Sequence, residues 1–238
     1  MRPFRAFIRE FETKLEYHDA LNPRLWTGDR LRAEVRQKLL QVAQAWVGYA
    51  RVPPQLVRDV VITGGNVNFN YTPSSDIDLH VIADRAKLGA GRLVDDFLKS
   101  RKKLWSLTHE VKIAGYPVEC YVQDPSEKHP ADQGVYSVKF DKWIDRPEYG
   151  RADRTADPAV ARKAEEIARL VDHMIAGDDP PADFERLKKR ISDMRKAGLS
   201  HGGEFSVENL TFKALRNAGV LDRMSKYARE KSDRELSL

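Results

Sequence analysis

The stretch that most constrains this chain is Val60-Val61-Ile62-Thr63-Gly64-Gly65, followed after ten residues by Asp76-Ile77-Asp78-Leu79-His80-Val81-Ile82. It reads as a strand, a glycine turn, a polar loop and a second strand. Alternate side chains of a strand share a face, so Asp76 and Asp78 point one way while Ile77 and Leu79 point into the core. Two carboxylates held that close repel unless a cation lies between them. Hard oxygen ligands on a rigid strand suit Mg²⁺, and Mg²⁺ in turn holds nucleotide phosphates. The loop between the strands is rich in turn formers: Asn66, Asn68, Asn70, Pro73, Ser74 and Ser75. Its glycines allow the backbone to approach a ligand closely, and the N–H groups of such a turn can face phosphate oxygens.

A chain of 238 residues with 41% apolar residues can build a real core, and 32% charged residues with a mean hydropathy of −0.58 describe a well-solvated surface. The net charge of +5 is compatible with RNA, DNA or nucleotide partners without requiring any of them. Cys120 is the single cysteine, which excludes an internal disulfide and a Cys-rich zinc site and fits a reducing, cytoplasmic setting. The first residues lack the uninterrupted apolar region of a signal peptide, and no run approaches the length of a membrane span.

Apolar spacing predicts a helix over residues 3–17 and another over 29–50, the second capped by Thr27 or Asp29. After Pro53-Pro54, strands are expected at 57–63 and 76–83. A helix striped by Leu93, Phe97, Leu98 and Leu104 follows, then strands Thr108–Ile113 and Pro117–Gln123 about Ala114-Gly115, and an extended hairpin over Gly134–Ile144. From Asp157-Pro158, a cap and first-turn pair, the pattern becomes helical. One helix ends at Gly177, one closes near Gly198, and a last helical region runs from the Ser206 cap to about Glu230, broken or kinked at Gly219. The expectation is an α+β fold, a mixed sheet with flanking helices plus a C-terminal helical region. Its parts would be an N-terminal helical segment (1–52), the core (53–150) and the C-terminal helices (151–238).

A third carboxylate completes the set. Val118, Cys120 and Val122 alternate as an apolar face, so Glu119 and Tyr121 point the other way. If this strand lies beside the Asp76–Val81 strand, Glu119 joins the two aspartates. The triad could then hold two Mg²⁺ ions, with Glu119 also able to take a proton from an attacking hydroxyl. The glycine pair, the ten-residue gap, the Asp-x-Asp strand and the later strand carboxylate resemble the polymerase-β-like nucleotidyltransferase superfamily. The fuller runs Thr63–Tyr71, Ser75–His80, Val118–Asp124 and Gly134–Ser137 are similar to predicted nucleotidyltransferases of tailed phages. The superfamily resemblance covers about residues 57–124. It implies a palm core, Mg²⁺ or Mn²⁺ at Asp76, Asp78 and Glu119, and an NTP donor whose triphosphate is held by Gly64, Gly65 and Ser75. The acceptor (RNA, protein or small molecule) stays open. Two positions depart from the pattern: Gly65 stands where many members carry Ser, and Glu119 where many carry Asp. A non-catalytic nucleotide-binding module and a toxin–antitoxin transferase are the alternatives.

Other residues read as quieter. His80 follows Asp78 on the same face and is as well explained as a packed strand histidine as a ligand. His109 and His129 match no ligand spacing. Trp26, Trp46, Trp105 and Trp143 read as packing residues. Arg101-Lys102-Lys103 reads as the basic end of a helix. Lys188-Lys189-Arg190 and Arg195-Lys196 read as solvated helix faces in preference to an RNA groove.

Overall fold

The computed structural model describes residues 15–89, 91–127, 129, 133–148 and 157–237. These fall into two compact units: residues 17–148 in one, and 157–237 with residues 15 and 16 in the other. The helix expected over 3–17 lies outside the described residues except for 15–17, which have no regular structure.

In the first unit, β1 (Trp26–Thr27) and β2 (Arg30–Leu31) form a small antiparallel hairpin. Gly28, at φ +60°, makes its turn. Helix α1 (Ala33–Tyr49) therefore starts later than expected. Thr27 and Asp29 belong to the hairpin, and Arg32 stands at the cap without a side-chain capping bond. The α1 residues Val35, Leu39, Ala43, Trp46 and Val47 are buried along one stripe.

The sheet is built from β3 (Val57–Thr63), β4 (Ile77–Ala83), β5 (Lys112–Ile113), β6 (Tyr116–Gln123), β7 (Val135–Ser137) and β8 (Lys142–Asp145). Their order is β5-β6-β4-β3-β7-β8, with β4 and β6 parallel and the other neighbours antiparallel. Parallel neighbours need a long crossover, and helix α2 (Arg92–Thr108) lies in it. Ile77, Leu79, Val81 and Ala83 of β4 are fully buried and share one core with α1, Val118 and Cys120. Burial pushes the Cys120 thiol up to about 12, so it is an inert packing group.

Helix α2 departs from the expected apolar stripe. Leu98 and Trp105 face the core, whereas Leu93, Phe97, Leu104 and Leu107 are exposed. The indole decides the rotation: Trp105 packs against the rings of Trp46 and Tyr49, with centroids 5.6 and 5.0 Å away. The helix also runs through Thr108, so the strand expected from that residue is confined to Lys112–Ile113. Trp26, Trp46 and Trp105 are core residues, and Trp143 stacks on Trp26 at 4.9 Å.

The second unit contains α3 (Pro158–Ala176), α4 (Pro181–Gly202), α5 (Val207–Asn217) and α6 (Val220–Leu236) around one apolar core. Asp157 caps α3 by accepting the Ala159 N–H at 2.8 Å, and Ser206 caps α5. Gly198 does not close its helix. It is buried inside α4, where an added Cβ would lie 2.5 Å from Glu208 Cβ and 2.7 Å from Ser206 Oγ. The expected stop is thus a close-packing position. No helix among the described residues is long and apolar enough to cross a membrane.

The polar feature of this unit is the pair Lys213–Glu204. Its N···O distance is 2.7 Å, with both side chains at 10% exposure or less. Asn209 Nδ2 donates to the same carboxylate at 3.3 Å and to the Glu204 carbonyl at 2.7 Å. Burial opposes the charge on Glu204, but Lys213, Arg195 and Asn209 together outweigh it and hold the carboxyl below its ordinary range. Lys213→Met, which takes the ammonium away from a buried carboxylate, is expected to destabilise this unit by about 3–5 kcal/mol in chemical denaturation of the full chain. Lys213→Met with Glu204→Met is expected to recover most of that loss. Because the folded carboxyl titrates lower than the unfolded one, the pair's contribution is complete above the unfolded value, about 4.3. It is lost as pH falls through the lower folded value, so thermal stability of the wild type should drop across that acidic window, and that of the double variant less so.

Candidate metal centre

Strand β3 ends at Thr63, opposite Asp78 in the antiparallel register. Gly64 follows at φ +88°, a conformation that L side chains rarely adopt. A Cβ there would stand 2.3 Å from Asp78 Oδ2. The first glycine is therefore demanded twice, by the turn and by the carboxylate pressed against it. Residues 65–67 then form one 3₁₀ turn, closed by Asn68 N–H donating to the Gly65 carbonyl at 3.1 Å.

The loop read as polar and rich in turn formers is mostly interior. Asn66, Asn68 and Asn70 are buried. Asn66 Nδ2 donates to the Asp76 carbonyl at 2.9 Å, tying the glycine turn to the start of β4. Its side-chain oxygen accepts from Asn22 Nδ2 at 2.7 Å, and its backbone carbonyl accepts from Trp26 Nε1 at 2.8 Å. Asn68 Nδ2 donates to the Gly64 carbonyl at 2.8 Å, while its Oδ1 accepts the Gly134 N–H at 3.0 Å. Asn68 thus fixes Gly64 and Asn66 fixes the start of β4, through the polar satisfaction that burial requires. Ser75 is also buried. Its Oγ accepts the Thr72 N–H at 2.9 Å and lies 3.1 Å from where a Cβ on Gly65 would be.

The parallel register sets Asp78 directly opposite Glu119. On β4 the side chains alternate between full burial (Ile77, Leu79, Val81) and half-burial (Asp78, His80), and on β6 Glu119 is half-buried between buried Val118 and Cys120. Asp76, Asp78 and Glu119 each bring one carboxylate oxygen to within 4.8 Å of the others. Three hard ligands at that spacing on a half-exposed face fit a divalent ion such as Mg²⁺ or Mn²⁺.

Two neighbours of Glu119 complete the geometry. Tyr121 OH donates to Glu119 Oε2 at 2.7 Å, and Lys102 Nζ lies 3.0 Å from the same oxygen. The Lys102 ammonium also sits 3.6 Å from the centroid of the Tyr121 ring. Burial, the Asp78 charge and the bond to Glu119 raise Tyr121 above the ordinary phenol value, so it stays a neutral donor. His80 stacks on Tyr121 at 4.6 Å, and burial lowers its ring to about 4 despite the opposing pull of Gln123. It is neutral at pH 7 and packs beside the triad without belonging to it.

The basic run at 101–103 separates into three roles. Arg101 Nε donates to the Tyr49 carbonyl at the end of α1 at 2.9 Å, Lys102 reaches Glu119, and Lys103 is exposed. The sequence signal for Lys102 was its place four residues after Leu98 and three before Trp105, on the inward face of α2. His109 stacks on Trp105 at 3.9 Å, and His129 lies near His80 with ring centroids 6.5 Å apart. Lys188, Lys189 and Arg190 are exposed on α4, while Arg195 bonds Asn209 Oδ1 at 3.2 Å and lies over the Phe212 ring.

No family model matches this chain, and no curated protein is significantly similar to it. Among solved structures, a STING-associated CdnE c-di-GMP synthase from Capnocytophaga granulosa aligns over 86% of this chain and 83% of its own, at 11% identity and a TM-score of 0.21. A score that low leaves the chemistry to be read from this chain's own residues.

The geometry makes two variants informative. Gly64→Ala should keep far-UV circular dichroism but lose most Mn²⁺ binding in a titration, because its Cβ collides with Asp78 Oδ2. Asn66→Ala removes the acceptor of the buried Asn22 Nδ2, and such a loss costs about 1–3 kcal/mol. Its thermal midpoint should fall measurably and its Mn²⁺ affinity with it.

Proposed function

We propose that the chain is a metal-dependent nucleotidyltransferase, moving an NMP from an NTP to an acceptor hydroxyl with release of pyrophosphate. The observation that carries this reading is the convergence of Asp76, Asp78 and Glu119 within 4.8 Å, beside a glycine turn pressed against Asp78. A glycine turn for phosphates next to a carboxylate cage for Mg²⁺ or Mn²⁺ is what NTP chemistry at phosphorus requires.

Asp76, Asp78 and Glu119 would hold the metal. A divalent ion there supplies charge neutralisation on the triphosphate and on the attacking oxygen. The Gly64-Gly65 turn offers backbone N–H groups to the triphosphate, with Ser75 backing Gly65. The acceptor oxygen forms its bond to the α-phosphorus as the bond to pyrophosphate breaks, and Glu119 takes the acceptor proton. Residues 53–150 would be the catalytic part, with 1–52 and 151–238 as helical additions, acting in the cytoplasm. The likeness to tailed-phage transferases belongs to the same reading. RNA, protein and small molecules remain the candidate acceptors.

Incubating the protein with Mg²⁺ or Mn²⁺, each α-labelled NTP and total RNA or cell lysate tests the reading. Label should pass to an acceptor with wild type and fall to background with Asp76→Asn and Asp78→Asn, both folded by circular dichroism. Full labelling by both variants would sink the mechanism. NTP binding without pyrophosphate release would replace it with a nucleotide-binding module.

A further inference from the structure

Helix α2 has a second apolar face. Leu98 and Trp105 are used by the core, yet Leu93, Phe97, Leu104 and Leu107 are 82%, 43%, 45% and 73% exposed. With the exposed Ser100 they fall at steps of four, three, four and three residues. That is the spacing of a coiled-coil seam, whose apolar residues pack into a facing helix. Apolar residues scattered singly over a surface need no partner, whereas a contiguous line of them marks a contact. The seam is also complementary to itself. Asp96 and Lys103, both exposed, directly precede Phe97 and Leu104, so they flank the same side of it. The acid lies in the N-terminal half of the helix and the base in the C-terminal half. Asp96 has Arg92 at 3.6 Å, but that arginine is 94% exposed and such a pair holds weakly. The N-terminal half borders a recess of about 350 Å³ lined by Leu88, Leu93, Phe97, Ala50 and Val52. The C-terminal half carries the projecting Leu107.

We propose that this face of α2 docks a second copy of this chain, the two helices running antiparallel about a two-fold axis. In a two-fold contact one patch serves both subunits, so what one end offers the other end must accept. An axis between residues 98 and 99 sets Leu93 against the partner's Leu104, and Phe97 against the partner's Ser100, large against small. Asp96 then meets the partner's Lys103, twice over by symmetry, and Leu107 enters the partner's recess beside Leu88. A parallel pair would separate Asp96 from the partner's Lys103 by about two turns and leave the recess empty. A seam of one helix is small beside the roughly 1,200–2,000 Å² buried in stable dimers, so the association is weak and concentration-dependent.

Sedimentation equilibrium of the full chain from about 1 to 500 µM tests this. Wild type should pass from monomer toward dimer over that range. Leu93→Glu and Leu107→Glu, at exposed positions, should keep the circular dichroism of wild type and weaken association at least about tenfold. Asp96→Lys and Lys103→Asp should each weaken it, and a mixture of the two should recover it, because opposite charges then meet at both contacts. Cys120 is buried and inert, so introduced thiols report the register. Leu93→Cys mixed with Leu104→Cys should give a disulfide-linked dimer under a mild oxidant, and neither variant alone should. A wild type that stays monomeric throughout would overturn the proposal and assign the face to a different protein or to residues 1–14 of this chain. Dimers that persist undiminished in Leu93→Glu and Leu107→Glu would overturn it as well, as would Leu93→Cys cross-linking to itself.

Discussion

Parallel strands cannot be joined by a tight turn, and the pairing of β4 with β6 therefore forces a long crossover. Much of the first unit follows from that requirement. The crossover contains α2, whose inward face delivers Trp105 to the core and Lys102 to Glu119. The same pairing sets Asp78 opposite Glu119, so one register decides both the packing of the helix and the composition of the site. A slip of one residue would turn Glu119 into the core and Cys120 toward the aspartates.

Charge repulsion is the second organising force. Three carboxylates within 4.8 Å of one another raise the energy of the folded chain unless cations accompany them. The fold accepts this cost and holds it with rigid local structure: Gly64 against Asp78, Asn66 on the Asp76 carbonyl, Asn68 on the Gly64 carbonyl. Lys102 relieves part of it at Glu119. The other unit treats a charge differently. Glu204 and Lys213 lie almost out of solvent and pair with each other, which suits a packing role.

Several elements were legible because local signals agreed with one another. β3 matches its expected span residue for residue, and β4 differs by one, since an apolar run and an alternating run each bounded by turn formers leave little freedom. The Asp157 cap and the Ser206 cap behave as the capping rule demands. Local signals misled where a distant contact outweighed them. Gly198 looks like a helix end but faces Ser206 and Glu208. The leucines of α2 look like a core stripe but yield to one indole. Thr27 and Asp29 look like caps, yet Gly28 turns them into a hairpin.

The sequence by itself determined the α+β composition, the shared face of Asp76 and Asp78, and the outward direction of Glu119, because strand alternation is a local property of the backbone. Only the tertiary structure decided that β6 lies parallel to β4 with Glu119 level with Asp78. It alone showed that Asn66 and Asn68 are buried scaffolding and that Lys102 reaches Glu119. The physical reason is common to all three. Strand partners, burial and ion pairs depend on residues 17 to 66 positions apart in the chain, from Lys102–Glu119 to Asn68–Gly134, and no local periodicity carries that information.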